Sequence, residues 1–128
     1  MQQKELRNVR ICGIQCAIPQ NIISNGFFLS DFTEEEINKA VALTGVRERR
    51  FSDSSTCTSD LCIASARKLM KDLDWNPATV DALIYVTQTP DFRIPATSCV
   101  IQEALGITTE CAAFDVNLGC SGYVYARL

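Results

Sequence analysis

The sequence predicts an α/β fold built as a mainly parallel sheet with covering helices. Residues 9–17 and 81–87 are apolar on both faces, the pattern of strands covered on both sides. Residues 111–117 alternate instead, with Ala112, Phe114 and Val116 on one face and Ala113 and Asp115 on the other. Helical patterns lie between these stretches, and strands separated by helices pair in parallel through right-handed crossovers.

In order, the first strand pattern is carried by Val9, Ile11, Cys12, Ile14 and Cys16, and Pro19 ends it. Asn25-Gly26 signals a turn. Thr33-Glu34-Glu35-Glu36 is a capping box, in which Thr33 caps and Glu36 reaches back. Ile37, Ala40 and Val41 continue as a helical stripe that Gly45 closes, and the three glutamates form a solvated first turn complementing the helix dipole. A polar loop over residues 52–59 precedes a helix opened by Asp60. Its buried stripe is Cys62, Ala66, Leu69, Met70 and Leu73, with Met70 as core filler and Trp75 covering the core. The strand at 81–87 leads into a two-proline loop over residues 88–95. A helix from Thr97 to Leu105 then ends at Gly106, ahead of the strand at 111–117.

The whole chain sets outer bounds. Its 128 residues suit one domain, and 47% hydrophobic with 21% charged residues suit a soluble globular one. A net charge of −3, with no basic stripe, leaves nucleic-acid binding without support. No apolar run is long enough to cross a bilayer. Met1-Gln2-Gln3-Lys4-Glu5 is polar with no hydrophobic signal region, so the expected location is cytoplasmic. No repeat or linker is visible. Seven cysteines, at 12, 16, 57, 62, 99, 111 and 120, include no C-x-x-C pair, and the chain has no histidine, so neither a metal nor a cofactor is expected. The odd count argues against a disulfide framework, and most of the cysteines are expected to fill core gaps.

Cys120 has a different setting. Gly119 and Gly122 bracket it where the strand gives out and a helical pattern starts. Glycines there remove side-chain bulk and let the backbone turn sharply. The N–H groups and dipole of a helix N-terminus favour an anion, which suits a thiolate nucleophile for acyl transfer.

Phe114-Asp115-Val116 followed by Cys120-Ser121-Gly122-Tyr123-Val124-Tyr125 resembles the active-site segment of β-ketoacyl-acyl-carrier-protein synthase III, of the thiolase-like condensing superfamily. Thr44-Gly45-Val46-Arg47-Glu48-Arg49-Arg50 and Thr89-Pro90-Asp91-Phe92 match in the expected order, so the resemblance runs through most of the chain. It implies the N-terminal half of a thiolase-like fold, with residues 1–128 ending in the active-site helix and the C-terminal half absent. Cys120 is then the catalytic nucleophile that takes an acyl group from a thioester. Condensation with a malonyl-type thioester, with loss of carbon dioxide, would give a 3-oxoacyl product in fatty acid or related biosynthesis. The implied substrates are acyl-CoA or acyl-carrier-protein thioesters, and the implied partners are an acyl carrier protein and a second copy in a homodimer.

Two substrate-binding residues follow from the same resemblance. Arg47 belongs to a basic edge that meets the phosphates of coenzyme A or of a carrier protein's phosphopantetheine arm; the charges by themselves read as a solvated turn. Ile94 stands just before Pro95, where the resembling enzymes wall the partner's acyl pocket, or else pack the interface. Two positions depart from the pattern. The relatives hold coenzyme A with an arginine directly before the Thr-Gly pair and a tryptophan five residues before that threonine. Leu43 and Lys39 occupy these places, which opens the way to a carrier-protein donor or a different acyl-CoA pose. Enzymes of this type also draw a histidine and an asparagine from their second half to stabilise the carbanion and oxyanion. The chain alone is therefore expected to be incomplete and inactive. The alternative is a non-catalytic α/β interaction module or a degenerate condensing-enzyme half.

Overall fold

The computed structural model describes residues 9–126. The polar start read at Met1 to Glu5 and the chain end at Leu128 lie outside the described residues. The chain forms two compact units, one of them Ala17–Cys57 and the other comprising the described residues before and after it.

In the Ala17–Cys57 unit, β1 (Asn21–Ser24) pairs antiparallel with β2 (Glu48–Phe51). Between them lies α1 (Glu34–Thr44), started by the capping box the sequence predicts. Thr33 Oγ1 accepts the Glu36 N–H at 3.3 Å, and Glu36 Oε2 accepts the Thr33 N–H at 2.9 Å. The bond from the Thr33 backbone, then that from its side chain, hold the Glu36 carboxyl below its ordinary value. Gly45 ends the helix in the left-handed region, φ 73°, with its N–H on Val41 O at 2.8 Å. Of the predicted stripe, Ile37 and Val41 are half-buried and Ala40 is exposed.

The other unit holds α2 (Thr58–Asp72), β3 (Ala82–Val86), α3 (Thr97–Leu105), β4 (Ala112–Val116) and α4 (Gly122–Tyr125). β3 and β4 pair in parallel, with Ala82 opposite Ala112 and Val86 opposite Val116. α3 joins them and packs on both strands and on α2, so the predicted parallel α/β arrangement is present. The in-register alternation sorts side chains by face. Leu83, Tyr85, Ala113 and Asp115 share the face toward α3, where Tyr85, Ile101, Ile107 and Cys111 form the buried apolar core. Burial, then the nearby Cys62 and Asp91, push the Tyr85 hydroxyl up to about 12. Ala82, Ile84, Val86, Ala112, Phe114 and Val116 share the opposite face, where Ile84 and Phe114 stay 38% and 46% exposed.

Several expectations are corrected. Residues 9–17 do not form the first strand: Ile14 is 82% exposed, and no strand precedes Asn21 among the described residues. A strand needs a neighbouring edge to complete its hydrogen bonds, and apolarity on both faces does not supply one. The segment runs past α2 instead, with Gly13 against Leu69 and Gln15 Nε2 donating to Asp72 Oδ2 at 3.3 Å. α2 starts at Thr58, two residues before Asp60, and Leu73 and Trp75 at its end are exposed. Trp75 Nε1 donates to Thr79 Oγ1 at 3.0 Å, which anchors the ring at the helix end. Nor do most cysteines fill core gaps. Cys111 is buried and Cys62 half-buried, whereas Cys12, Cys16, Cys57, Cys99 and Cys120 are exposed, on surfaces that nothing among the described residues covers.

Candidate active site

The site is made by the way β4 ends. Beyond Val116 the chain leaves the ladder, and the Leu118 N–H turns back to Val116 O at 2.9 Å. The Gly122 N–H then bonds to Gly119 O at 2.9 Å, and the Val124 and Tyr125 N–H groups bond to Ser121 O at 3.0 and 3.1 Å. Cys120 therefore occupies the turn directly before α4, with its side chain exposed.

The flanking glycines act through space rather than through backbone freedom. Among the described residues the positive-φ glycines are Gly45 and Gly106, not Gly119 or Gly122. A methyl group on Gly122 would lie 2.4 Å from Val86 Cγ1, far inside carbon–carbon contact. One on Gly119 would lie 3.1 Å from the Gln88 side-chain amide. Gly122 thus lets α4 start hard against the sheet, and Gly119 leaves room for Gln88 beside the cysteine.

The 88–95 loop that begins at Gln88 is fastened from below. α3 has Ala96 at its N-cap, which offers no capping side chain. Asp115 of β4 does the capping: Oδ2 accepts the Thr97 N–H at 2.9 Å and Oδ1 accepts the Ser98 N–H at 2.8 Å. Thr97, fully buried, then uses Oγ1 to accept the Phe92 N–H at 3.1 Å and to donate to Phe92 O at 3.2 Å. Ser59 Oγ donates to Asp91 Oδ2 from the first turn of α2. Burial, and secondarily the Asp91 charge, push the Cys62 thiol up. Ile94 is left 93% exposed, joined to Pro95 by a cis peptide.

Arg47 lies in the Ala17–Cys57 unit, whereas Ile94 and Cys120 lie in the other. The basic edge is divided in its tasks. Arg49 Nη1 donates to Asn25 Oδ1 at 2.5 Å, and the guanidinium stands 5.5 Å from the Phe28 ring centre. Arg50 Nη1 donates to Pro19 O at 3.0 Å. Arg47 contributes its backbone carbonyl to Asn25 N at 3.1 Å, and its side chain has no partner among the described residues. On α1, Lys39 pairs with Glu35 at 2.8 Å and Leu43 is 87% exposed.

Gln88, Thr97 and Asp115 were not legible as site residues. The usable signal was Ala96, since a helix that begins without a capping side chain must find an acceptor elsewhere.

The solved structures similar to this chain define a class, the thiolase-like condensing enzymes. The particular relatives are narrower. β-Ketoacyl-[acyl-carrier-protein] synthase III of Caldanaerobacter subterraneus subsp. tengcongensis is 36% identical over 115 residues, covering 90% of this chain and 34% of that protein. The 3-oxoacyl-(acyl-carrier protein) synthase of Burkholderia xenovorans LB400 is 39% identical with a TM-score of 0.84, covering 88% of this chain and 32% of that one. The 3-oxoacyl-[acyl-carrier-protein] synthase III of Aquifex aeolicus VF5 is 28% identical with a TM-score of 0.75, covering 88% and 36%. No protein-family model matches the chain. The chain is thus a relative of β-ketoacyl-acyl-carrier-protein synthase III and carries part of its thiolase-like fold, spanning about a third of the relatives' length.

Proposed function

We propose that this chain is the N-terminal part of a synthase III-type acyltransferase in which Cys120 carries the acyl group. The Cys120 sulfur attacks the carbonyl carbon of an acyl thioester, a C–S bond forms, and the carrier's thiolate leaves. A malonyl thioester then loses carbon dioxide, and the electron pair of the broken C–C bond becomes a carbanion. That carbanion attacks the acyl-cysteine carbonyl, and breakage of the C–S bond returns the Cys120 thiolate and releases a 3-oxoacyl thioester. The observation that carries this reading is an exposed cysteine held between β4 and α4, where Gly122 leaves no room for a side chain, in a chain whose relatives are condensing enzymes.

The finer parts of the reading follow. Arg47, the uncommitted arginine of its cluster, faces the phosphates of the donor. The donor is an acyl carrier protein or an acyl-CoA held in a different pose, because Lys39 offers no stacking surface and Leu43 carries no charge. Ile94, nearly fully exposed, packs across a homodimer interface against the partner's acyl site. The enzyme works in the cytoplasm; among the described residues no helix is long and apolar enough to cross a membrane. Residues 1–128 alone do not condense, since they include no histidine to stabilise the carbanion.

The test is to incubate the full-length protein with acyl-CoA and acyl-carrier-protein thioesters and map the adduct by mass spectrometry. An acyl group on Cys120, lost in Cys120→Ala, supports the reading, and an adduct on another cysteine overturns it. The missing histidine also favours a second reading, a non-catalytic interaction module. That reading wins if no thioester acylates the full-length protein.

A further inference from the structure

The contacts beneath Cys120 form a closed circuit. β4 runs from Asp115 through Val116 into the turn that holds Cys120. The Asp115 carboxylate reaches sideways, with one oxygen on the Thr97 N–H and the other on the Ser98 N–H. Thr97 Oγ1 grips both backbone polar groups of Phe92. The loop carrying Phe92 begins at Gln88, whose amide lies over Gly119, next to Cys120. The strand that delivers the cysteine and the loop beside it are therefore referenced to one carboxylate. Two considerations set this apart from ordinary helix capping. Ala96 cannot cap α3, so the helix start has no local substitute for Asp115. Thr97 and Ser98 are also fully buried, so water does not take over the two N–H groups.

We propose that Asp115 is a positioning residue that sets the 88–95 loop against Cys120 and so governs the fit of the acyl group. The inference rests on the reading of Cys120 as the acyl acceptor. Asp115 does not touch the thiol. It acts through Thr97, and the loop's first residue, Gln88, lies beside the turn that would carry an acyl group on Cys120.

The experiment compares wild type, Asp115→Asn, Thr97→Val and Thr97→Ser in the full-length protein. Asparagine keeps the shape of aspartate but replaces one acceptor oxygen with a donor, which sets a donor against one of the two N–H groups. Valine removes the hydroxyl that grips Phe92, and serine restores it. Acylation of Cys120 is followed across acyl chain lengths, and alkylation by iodoacetamide is followed separately. Asp115→Asn and Thr97→Val are expected to raise KM for the acyl donor about tenfold, the effect of one buried hydrogen bond. The alkylation rate stays within about twofold of wild type, since the thiol's own contacts are untouched, and Thr97→Ser behaves as wild type. An unchanged KM, or alkylation slowed in step with acylation, overturns the proposal. Should Asp115→Asn fail to fold, the Thr97→Val and Thr97→Ser pair decides. If wild type accepts no acyl group, the reading of Cys120 has failed, and hydrogen exchange at the Phe92 amide judges the positioning claim. Asp115→Asn accelerates that exchange about tenfold if the carboxylate holds the loop, and an unchanged rate overturns it.

Discussion

Replacing Gly122 with alanine tests the packing on which the site depends. The added methyl would sit 2.4 Å from Val86 Cγ1 and 3.3 Å from Leu118 Cβ. Carbons rest at roughly 3.5 Å or more, so α4 must lift by about 1 Å or Val86 must give way. Overpacking of this kind costs about 1–3 kcal/mol. Against it stands the helix propensity of alanine over glycine, at most about 1 kcal/mol in a helix interior and less in the first turn, where Gly122 lies. The steric term wins, and Gly122→Ala is expected to destabilise the unit by about 1–2 kcal/mol. Val86→Ala removes the opposing methyl and, at a half-buried site, costs about 1 kcal/mol by itself. In the double variant the clash with Val86 is gone and the 3.3 Å contact with Leu118 remains, so the two costs do not add, and a favourable coupling of about 1 kcal/mol is expected. Urea denaturation of the four full-length proteins supplies the cycle. A Gly122→Ala variant as stable as wild type, or a double variant whose losses simply add, refutes the claim that bulk, rather than backbone freedom, demands glycine at this position.

Other expectations concern reactivity, pH and assembly. Limited alkylation followed by peptide mapping should mark Cys120 before any other thiol, with Cys111 and Cys62 slowest because one is buried and the other has its thiol pushed up; modification of Cys99 or Cys111 ahead of Cys120 contradicts this. The Glu36 carboxyl is held below its ordinary 4.5 in the folded state, so its share of stability is present above pH 4.5 and is lost as acid protonates it. Glu36→Gln should therefore lower stability above pH 4.5, leave it nearly unchanged in strong acid and so flatten the acid limb of the profile, and an unaltered acid limb counts against the capping box. The full-length protein should sediment as a homodimer at micromolar concentration and Ile94→Asp should weaken it, whereas a monomeric wild type removes the interface role of Ile94.

What the sequence by itself determined is local in origin. The capping box at Thr33 and Glu36, the left-handed glycines Gly45 and Gly106, and the strand patterns at 81–87 and 111–117 were legible because each rests on a few neighbouring residues. The strand-to-helix junction at Cys120 was legible for the same reason. Only the tertiary structure decided the rest. Residues 9–17 carry the composition of a buried strand, yet pairing depends on an edge elsewhere in the chain, and none among the described residues meets them. β1 and β2 were missed because short exposed strands such as Glu48–Phe51 carry no apolar alternation. Gly119 and Gly122 were identified from sequence, but for the wrong balance of reasons, since a clash with Val86 exists only once β3 and α4 have met. The task of Asp115 was hidden most completely. A carboxylate on a strand face looks like an ordinary half-buried polar residue until folding brings it to two N–H groups 17 and 18 residues away. Long-range hydrogen bonds leave no periodic trace in the sequence, because both partners are chosen by where the chain returns in space rather than by spacing along it.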